Sequence, residues 1–357
     1  MTTIEPLTTT TNHEAIRRAL LAMPRIDLGV GITPLEHLAR LSRELGGPQI
    51  YIKRDDLAGG PLGGNKTRML EYVLAKALAI GATAVVGGSA VQSNYSRQLA
   101  AACARLGLDC HLVLRQIRPE DEVVQGSLLL DYLYGAKVHL IHDDRDLQTQ
   151  RLIELAESLE ATGEVVYRAP QASEVDKPIH ALAYVAAGLE LIDQTATAGF
   201  EPTHVYASSL DTTHAGLLLG LRAAAPAVKL RVISPNESAI FADRTIAEEV
   251  SRLATACAAL LGVSMSVEPA TVETCTEFVG ERYGAITQDG LEAMRLFARL
   301  EAIVLDPVYS AKAAAALIDD IRTGVLGTDD IVVFVHTGGI PAVFAYAAEI
   351  AAEFVGR

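Results

Sequence analysis

A glycine-rich loop that ends next to Lys66 is the feature that most constrains this chain. Residues 49–53 read as a β-strand, residues 59–64 contain four glycines and one proline, and residues 67–78 carry apolar side chains at helical spacing. Lys66 therefore lies at a helix N-terminus, where the positive end of the helix dipole opposes a second positive charge. This position, together with partial burial, favours the neutral amine and lowers the lysine pKa. A neutral lysine amine is the form that reacts with carbonyl groups.

Two simpler interpretations of this lysine compete with a reactive amine. A nucleotide-binding P-loop requires Gly-Lys-Thr, but Asn65 stands between Gly64 and Lys66. An ordinary surface lysine is the other alternative, and a second segment argues against it. After an apolar strand at 82–86, the sequence GGSAVQSN at 87–94 opens another helix. Small residues and backbone N–H groups at a helix N-terminus bind anions, so this turn suits a carboxylate.

Apolar runs and helical patterns alternate along most of the chain. Residues 34–46 and 273–282 are among the predicted helices, and residues 168–178, with Pro170 and Pro178, are the best candidate for a domain boundary. The regular β-α alternation implies parallel sheets with helices on both faces. A ligand is then expected in the cleft between two β/α units.

Charge and composition exclude several classes of function. The chain has 357 residues and a formal net charge of −14, which disfavours binding to nucleic acid or to an anionic membrane. No apolar run reaches transmembrane length, and the Thr-rich residues 1–12 lack the features of a signal peptide. The four cysteines and nine histidines show no metal-ligand spacing. We therefore expect a cytoplasmic enzyme without a metal site.

Four separated motifs resemble one enzyme family. GGNKTR at 63–68 and QSNYSRQLAA at 92–101 are similar to segments of the fold type II pyridoxal-phosphate enzymes. Within them the chain most resembles the branch of D-cysteine desulfhydrase, 1-aminocyclopropane-1-carboxylate deaminase and L-cysteate sulfo-lyase. DPVY at 306–309 and HTGGIP at 336–341 also match, in the same order along the chain. The resemblance spans about residues 30–350.

The resemblance implies an α/β fold of the tryptophan synthase β type. This fold has two open, twisted, mostly parallel sheets with helices on both faces. The large cofactor-binding domain would comprise residues 1–56 and 176–357, with a small domain, residues 57–175, inserted in it. Family members of this kind also imply a homodimer.

The first two motifs supply the residues expected around pyridoxal 5'-phosphate and the substrate. By resemblance, Lys66 carries the cofactor covalently and moves the Cα proton, and Asn65 lies beside the ring hydroxyl. The substrate carboxylate is expected on Gln92, Ser93 and Asn94, and Ser93 is a candidate for proton transfer. Helix capping remains an alternative for Asn65 and Ser93, and Lys53 is the rival lysine in the same stretch.

The C-terminal motifs supply the residues expected opposite the lysine. Tyr283 and Tyr309 match two tyrosines that face the substrate, where a phenol protonates a leaving thiolate or moves a proton during ring opening. Packed core tyrosines are the alternative. Ser310 or Thr337 would meet the ring nitrogen, where the cyclopropane-opening deaminases carry a glutamate at the position of Ser310. A neutral hydroxyl makes the cofactor a weaker electron sink, which suits β-elimination.

The expected phosphate turn departs from the family pattern. Thr212 and Thr213 are the candidate phosphate ligands, but Leu210 is bulky and Asp211 stands where relatives have glycine. A carboxylate about 5 Å from a phosphate costs about 3 kcal/mol per pair of unit charges at an effective dielectric of ~20. Either Asp211 turns outward, which we expect, or the site no longer favours a dianion.

These features predict a pyridoxal-phosphate-dependent carbon–sulfur lyase similar to D-cysteine desulfhydrase. It would catalyse β-elimination on a small cysteine-like amino acid and release an α-keto acid and ammonia. The alternatives are a ring-opening deaminase of the 1-aminocyclopropane-1-carboxylate type and a non-catalytic homologue with an altered phosphate site.

Overall fold

Two β-sheets form the framework of the protein. The structure is a computed structural model that describes residues 9–60, 62–169 and 176–355. The strands are β1 (Leu35–His37), β2 (Gln49–Lys53), β3 (Ala84–Ala90), β4 (Asp109–Gln116), β5 (Lys137–His142), β6 (Val166–Arg168), β7 (His204–Ser208), β8 (Lys229–Ile233) and β9 (Ile331–Val335). Within the described residues, one sheet has the order β1-β2-β9-β7-β8 and the other β5-β4-β3-β6. All neighbouring strands are parallel except β1 and β2.

Helices cover both faces of the larger sheet. The helices are α1 (Thr9–Ala22), α2 (Ala39–Leu45), α3 (Asn65–Ala79), α4 (Asn94–Leu106), α5 (Gly126–Leu133), α6 (Arg145–Ala161), α7 (Lys177–Ala198), α8 (Thr212–Ala224), α9 (Ile246–Leu260), α10 (Gln288–Glu301), α11 (Ser310–Arg322), α12 (Pro341–Ala345) and α13 (Ala347–Phe354). Helices α7, α8 and α9 share a core with one face, and α10 and α11 share a core with the other.

The central strand β9 shows why the sheet is covered on both sides. Val333 and Val335 belong to the core under α7 and α8, whereas Val332 and Phe334 belong to the core under α11. Successive side chains of a strand point to opposite faces, so an uninterrupted apolar run requires both faces to be buried. The predicted fold class is therefore confirmed.

Glycines on α8 fix the position of its N-terminus. A Cβ at Gly216 would lie 2.3 Å from the carbonyl oxygen of Ala181, and one at Gly220 would lie 2.8 Å from that of Val185. Both carbonyls belong to α7, so the two helices pack backbone against backbone. This close packing holds the start of α8 at the C-terminal end of β7.

Helix α3 joins the two sheets. Met69 and Tyr72 contribute to the core of the larger sheet, whereas Leu70 and Val73 contribute to the core of the smaller one. Strands β3 to β6 fall within the predicted small domain, and the residue bounds of the two domains stay a prediction. Most of the predicted boundary segment, residues 170–175, lies outside the described residues.

One predicted helix begins later than expected and another does not form, for the same physical reason. Residues 34–46 contain β1, because Leu35 pairs with Lys53 of β2, and only Ala39–Leu45 is helical. Residues 273–282 contain Cys275, which forms a parallel bridge with Ile233. Backbone pairing with a neighbouring strand overrides a helical side-chain pattern in both places. Within the described part of the chain, no helix is long and apolar enough to span a membrane.

Candidate active site

A cavity of about 360 Å³ lies between the two sheets. Residues from the ends of β3 and β7 and from the starts of α3, α4 and α8 line it. Most of the predicted site residues are among them: Asn65, Lys66, Ser93, Asn94, Thr212, Tyr283, Tyr309 and Thr337. The structure therefore brings together residues as far apart in the sequence as Asn65 and Thr337.

Contact between two glycine-rich segments directs Lys66 into this cavity. Gly64 forms an isolated antiparallel bridge with Gly338, and the N–H of Asn65 donates to the carbonyl of Thr337 at 3.0 Å. A Cβ at Gly64, where φ is 146°, would lie 2.9 Å from that carbonyl oxygen. The two backbone segments approach so closely only because neither Gly64 nor Gly338 has a side chain. Lys66 follows immediately, in the first turn of α3.

The amine of Lys66 belongs to a residue that lines the cavity. Burial lowers its pKa, and the negative charge of Asp211 opposes part of this shift. Its Nζ makes no hydrogen bond to any described residue, as expected of an amine that is kept free for a ligand. Burial is thus the main cause of the lowered pKa, where the sequence pointed first to the helix dipole.

The other candidate lysines are held by fixed partners. Lys53 donates to the carbonyl of Thr33 at 2.7 Å and pairs with Glu190, outside the cavity. Lys312 donates to backbone carbonyls, among them that of Ala285 at 2.9 Å. These lysines stabilise the fold, and Lys66 remains the candidate for a covalent bond.

In the turn before α4, Ser93 caps the helix, and both Ser93 and Asn94 line the cavity. The hydroxyl of Ser93 accepts from the N–H groups of Tyr95 and Ser96 at 3.1 and 3.3 Å, so the capping interpretation of Ser93 holds even though Ser93 lines the cavity. Asn94 also lines the cavity, and its buried Oδ1 has no hydrogen-bond partner in the part of the chain that the structure describes. A buried polar atom without a partner is costly, which points to a ligand at this position.

Gln92 is a correction to the expected substrate site. Its Oε1 accepts from the N–H of Ser127 at 2.9 Å, and its Nε2 donates to the carbonyl of Gln125 at 3.3 Å. Both polar atoms are thus used at the start of α5, and the side chain does not line the cavity. Gln92 therefore links this turn to the start of α5.

Tyr283 and Tyr309 form a hydrogen-bonded pair at the cavity wall. Their hydroxyl oxygens are 2.7 Å apart and their rings meet nearly edge to face, at 76°. Burial raises the pKa of both phenols, and that of Tyr309 lies well above its ordinary value. The carboxylate of Asp306 accepts from the N–H of Tyr309 at 2.9 Å and holds the turn that carries it. Both phenols are therefore neutral proton donors at physiological pH.

Two further predicted residues, Ser310 and Thr213, lie outside the cavity lining and form hydrogen bonds to other side chains. The hydroxyl of Ser310 donates to Oδ1 of Asp306 at 2.7 Å and accepts from the backbone N–H of Asp306 at 2.8 Å, so it is not free for a cofactor ring. The hydroxyl of Thr213 accepts from Nδ2 of Asn65 at 3.1 Å. Neither residue lines the cavity. Of the two residues expected at the ring nitrogen, Ser310 and Thr337, it is Thr337 that lines the cavity.

Asp211 remains in the cavity wall, which corrects the expectation that it turns outward. Its Oδ1 accepts from the N–H of Thr212 at 2.5 Å and caps α8, and its Oδ2 lies 3.0 Å from Nζ of Lys177. Burial alone would raise the pKa of Asp211, but Lys177 and the Thr212 N–H outweigh it and lower the pKa. Lys177 also donates to the buried Glu249 at 2.7 Å. The carboxylate is therefore ionised and charge-paired.

Several lining residues were missed by the sequence analysis. They are Arg115, Arg145, Gln148, Lys177 and His180. Arg115 carries a usable signal, because it is a charged residue at the carboxyl end of an apolar parallel strand. The others lie in the first turns of α6 and α7, and no local sequence pattern indicates that these helices begin beside the cavity.

The residues present fit the expected cofactor. Lys66, Asn65 and Thr337 surround one part of the cavity, and Nε2 of His180 is a second buried atom without a partner among the described residues. Burial lowers the pKa of His180 to about 3, so its ring is neutral. At the start of α8, Thr212 and the cation of Lys177 suit a phosphate, and Asp211 is the acidic residue among the described lining residues that opposes it.

Comparisons with known proteins agree with this geometry. A family model described as "Pyridoxal-phosphate dependent enzyme" matches residues 26–338. The D-cysteine desulfhydrase of Yersinia enterocolitica is 38% identical over 341 residues, which cover 94% of this chain and 99% of that protein. The D-cysteine desulfhydrase of Salmonella choleraesuis is 37% identical and covers 92% of this chain and 97% of its own length.

A solved structure extends the likeness to three dimensions. A crystal structure described as an ACC deaminase homologue is 34% identical, with a TM-score of 0.83. The match covers 95% of this chain and 98% of that one.

Proposed function

Because the chain belongs to the pyridoxal-phosphate-dependent enzymes, we propose that it is a lyase of the D-cysteine desulfhydrase type. It takes a small cysteine-like amino acid, removes the β-substituent, and releases an α-keto acid and ammonia. The cofactor is pyridoxal 5'-phosphate. Relatives that carry this function in their names match nearly the whole chain.

One observation carries the proposal. Lys66, whose amine has no hydrogen-bond partner among the described residues, lines the same cavity as the hydrogen-bonded tyrosines Tyr283 and Tyr309. A β-elimination requires a base at Cα and an acid at the departing group. The cavity provides both in a site whose burial lowers the pKa of the amine.

Each residue has a distinct task in this reaction. Bound pyridoxal phosphate withdraws electrons from the substrate's Cα. Lys66 takes the Cα proton, and the turn at Ser93 and Asn94 holds the substrate carboxylate at the start of α4. Tyr309 gives its proton to the leaving thiolate. Tyr283 then stabilises the resulting phenolate by donating a hydrogen bond to it, and such charge-assisted bonds are stronger than neutral ones.

The cavity favours elimination over the ring-opening alternative. No carboxylate among the described lining residues takes the place of the deaminases' glutamate, because Ser310 stands at that position and is bound to Asp306. The carboxylate of Asp211 is paired with Lys177 at the start of α8. The hydroxyl of Thr337 is neutral, so beside it the bound cofactor would be a weaker electron sink. A weaker sink suits the elimination of a good leaving group.

Assembly and location are part of the same proposal. Exposed apolar side chains group on α5, the segment before it and α12: Val123, Val124, Leu129, Leu133 and Phe344. Exposed apolar groups of this kind mark interaction surfaces, and this one supports a homodimer. A cytoplasmic location is supported by the cysteines, which are free buried thiols.

A product assay tests the proposed reaction. Purified enzyme with pyridoxal phosphate is given D-cysteine, L-cysteine or 1-aminocyclopropane-1-carboxylate, and sulfide, keto acid and ammonia are measured. We expect equal amounts of sulfide and keto acid from one cysteine enantiomer. Keto acid from the cyclopropane substrate with no sulfide from either cysteine would favour the ring-opening deaminase. Cofactor binding without any product would favour a non-catalytic homologue.

A further inference from the structure

A loop without helix or strand structure carries Tyr283. It spans residues 276–287, between the bridge at Cys275 and the start of α10, and is called the Tyr283 loop below. The hydroxyl at its tip nevertheless lies within hydrogen-bond distance of Tyr309, at 2.7 Å. Backbone groups in such a loop lack the partners that a helix or a sheet provides. Groups from other parts of the chain therefore have to hold the loop in place.

The amine of Lys312, on helix α11, holds this loop. It donates to the carbonyls of Ala285 and Phe278 at 2.9 and 3.3 Å, and it also donates to the carbonyl of Val279. A lysine ammonium has three N–H donors, so the three carbonyls use all of them. Two of these carbonyls precede Tyr283 and one follows it. The amine thus ties both sides of the Tyr283 loop to one point.

Lys312 is buried without a carboxylate partner. Its exposed fraction is 0%, and it forms no ion pair with any described residue, whereas the buried Lys53 pairs with Glu190. Burial lowers the pKa of Lys312 to about 8, and the negative charges of Asp306 and Glu237 oppose this shift, so the amine is protonated at neutral pH. A buried charge is costly, and an apolar side chain of similar size is often at least as stable. The ammonium therefore indicates a requirement for the three carbonyl contacts.

Lys312 and Tyr309 belong to the same end of α11. Tyr309 directly precedes the helix, and its carbonyl accepts from the backbone N–H of Lys312 at 3.1 Å. The carboxylate of Asp306 fixes the same turn by accepting from the N–H of Tyr309. The start of α11 thus carries one phenol of the hydrogen-bonded pair, and Lys312 attaches the loop that carries the other phenol, that of Tyr283.

We propose that Lys312 is a positioning residue that holds Tyr283 in hydrogen-bond contact with Tyr309. Lys312 does not line the candidate active-site cavity, so it acts through the Tyr283 loop and does not touch the substrate. The inference rests on the proposed function, in which Tyr283 stabilises the phenolate that Tyr309 leaves after proton donation. A displaced hydroxyl stabilises that charge less, because a hydrogen bond weakens steeply when its distance or angle departs from the optimum.

Hydrogen exchange of the holoenzyme tests the attachment of the loop without any reaction. Lys312→Met replaces the ammonium with an unbranched apolar side chain and removes all three donors. Lys312→Gln keeps amide donors without the charge, and it carries the same comparisons if Lys312→Met does not fold. Lys53→Met is the matched control, because it removes another buried lysine, whose amine donates to the carbonyl of Thr33. Thermal unfolding checks the folding of each variant.

Two backbone N–H groups of the loop report on its opening. That of Tyr283 donates to Oε1 of Glu237 at 3.0 Å, and that of Ala285 donates to the carbonyl of Arg282 at 3.1 Å. In Lys312→Met, peptides that cover residues 276–287 should exchange about tenfold faster or more, because the loss of three hydrogen bonds favours local opening. Lys312→Gln should lie between this variant and the unchanged protein, and Lys53→Met should leave these peptides unchanged.

A double-mutant cycle with Tyr283→Phe tests whether Lys312 acts through Tyr283. Lys312→Met alone should lower kcat for cysteine about tenfold or more, since a small displacement of a positioned group can cost this much. KM should stay within about threefold, because the binding of the substrate carboxylate does not involve this loop. In the Tyr283→Phe enzyme, Lys312→Met should lower kcat about twofold or less, because the hydroxyl that Lys312 positions is already absent. Lys53→Met should have the same relative effect in both enzymes.

Three outcomes separate the claims. Unchanged exchange of residues 276–287 in Lys312→Met would overturn the inference and leave the proposed reaction intact. Faster exchange with equal losses of kcat in the presence and in the absence of the Tyr283 hydroxyl would also overturn it, and Lys312 would then be a structural residue only. Faster exchange confined to residues 276–287, in an enzyme that eliminates sulfide from neither cysteine enantiomer, would support the attachment of the loop and overturn the proposed reaction.

Discussion

The carboxylate of Asp211 lies 3.0 Å from the amine of Lys177, at the start of helix α8. This ion pair explains how a phosphate turn without its usual glycine remains compatible with a charged cofactor. Asp211 has a φ of −144°, so its backbone does not need the positive φ that favours glycine. Its charge is offset by Lys177, which lines the same cavity.

Cofactor affinity should therefore depend on Lys177 more than on Asp211. In Lys177→Met, the charge of Asp211 near the phosphate is no longer offset by Lys177. Repulsion between two such charges costs about 3 kcal/mol, so the affinity for pyridoxal phosphate should fall about a hundredfold. Asp211→Asn, which keeps the helix cap, should bind as well as the unchanged protein or better. The double variant should recover most of the loss. Titration of the apoprotein with pyridoxal phosphate measures all four constants, and an unchanged affinity in Lys177→Met would contradict this account of the turn.

The tyrosine pair should act on turnover and spare cofactor binding. Tyr309→Phe removes the proton donor at the leaving group, and kcat for cysteine should drop about a hundredfold or more. Tyr346→Phe is a matched control, because Tyr346 packs against the same two tyrosines but does not line the cavity, and its hydroxyl donates to the carbonyl of Gly284 at 2.9 Å. Steady-state kinetics and the cofactor spectrum are measured for both. Turnover of cysteine at the original rate in Tyr309→Phe would assign Tyr309 to packing.

Substitutions of Ser310 and Thr337 should have different effects, the first on stability and the second on the absorption of the bound cofactor. Ser310→Ala breaks hydrogen bonds to the buried Asp306 and should lower the free energy of unfolding by about 1–3 kcal/mol. It should leave the absorption maximum of the bound cofactor in place. Thr337→Val should shift that maximum with a smaller effect on stability. Urea unfolding and absorbance spectra measure the two effects, and a spectral shift confined to Ser310→Ala would place the ring at Ser310.

Asp131 should make the stability of the protein depend on pH. Neither of its buried oxygens has a partner among the described residues, and burial raises its pKa to about 8, with Arg97 opposing the shift. The unfolded chain titrates near ~3.9, so between these values the folded state binds the extra proton and the Asp131 contribution to stability falls as pH rises, by at most about 1.4 kcal/mol per pH unit. Above pH 8 the penalty is complete.

Asp131→Asn removes this penalty. Compared with the unchanged protein, the variant should gain little stability at pH 4.5 and clearly more at pH 8, as measured by urea unfolding at each pH. Asp329→Asn, at an exposed aspartate, is the control and should show no such trend. An advantage of Asp131→Asn that stays constant from pH 4.5 to 8 would contradict a raised pKa at Asp131.

Local motifs predicted the family, the fold class and the residues that share one cavity. They succeeded where a backbone feature fixes the side chain, as in the glycine approach to Lys66. They were less successful where a partner distant in the sequence decides the outcome. Gln92 accepts a hydrogen bond from the first turn of α5, and Ser310 donates one to Asp306. No pattern in the sequence reveals either bond. The pairing of Asp211 with Lys177 likewise required the packing of α7 against α8.

The most direct test of the account is the site of cofactor attachment. Holoenzyme reduced with borohydride is digested, and mass spectrometry locates the pyridoxyl group, with folded Lys66→Ala as the control. The label should lie on Lys66, whose amine faces the cavity without a partner among the described residues, and should be absent from the variant. A label on Lys53, Lys177 or Lys312 in the unchanged protein would contradict the central claim.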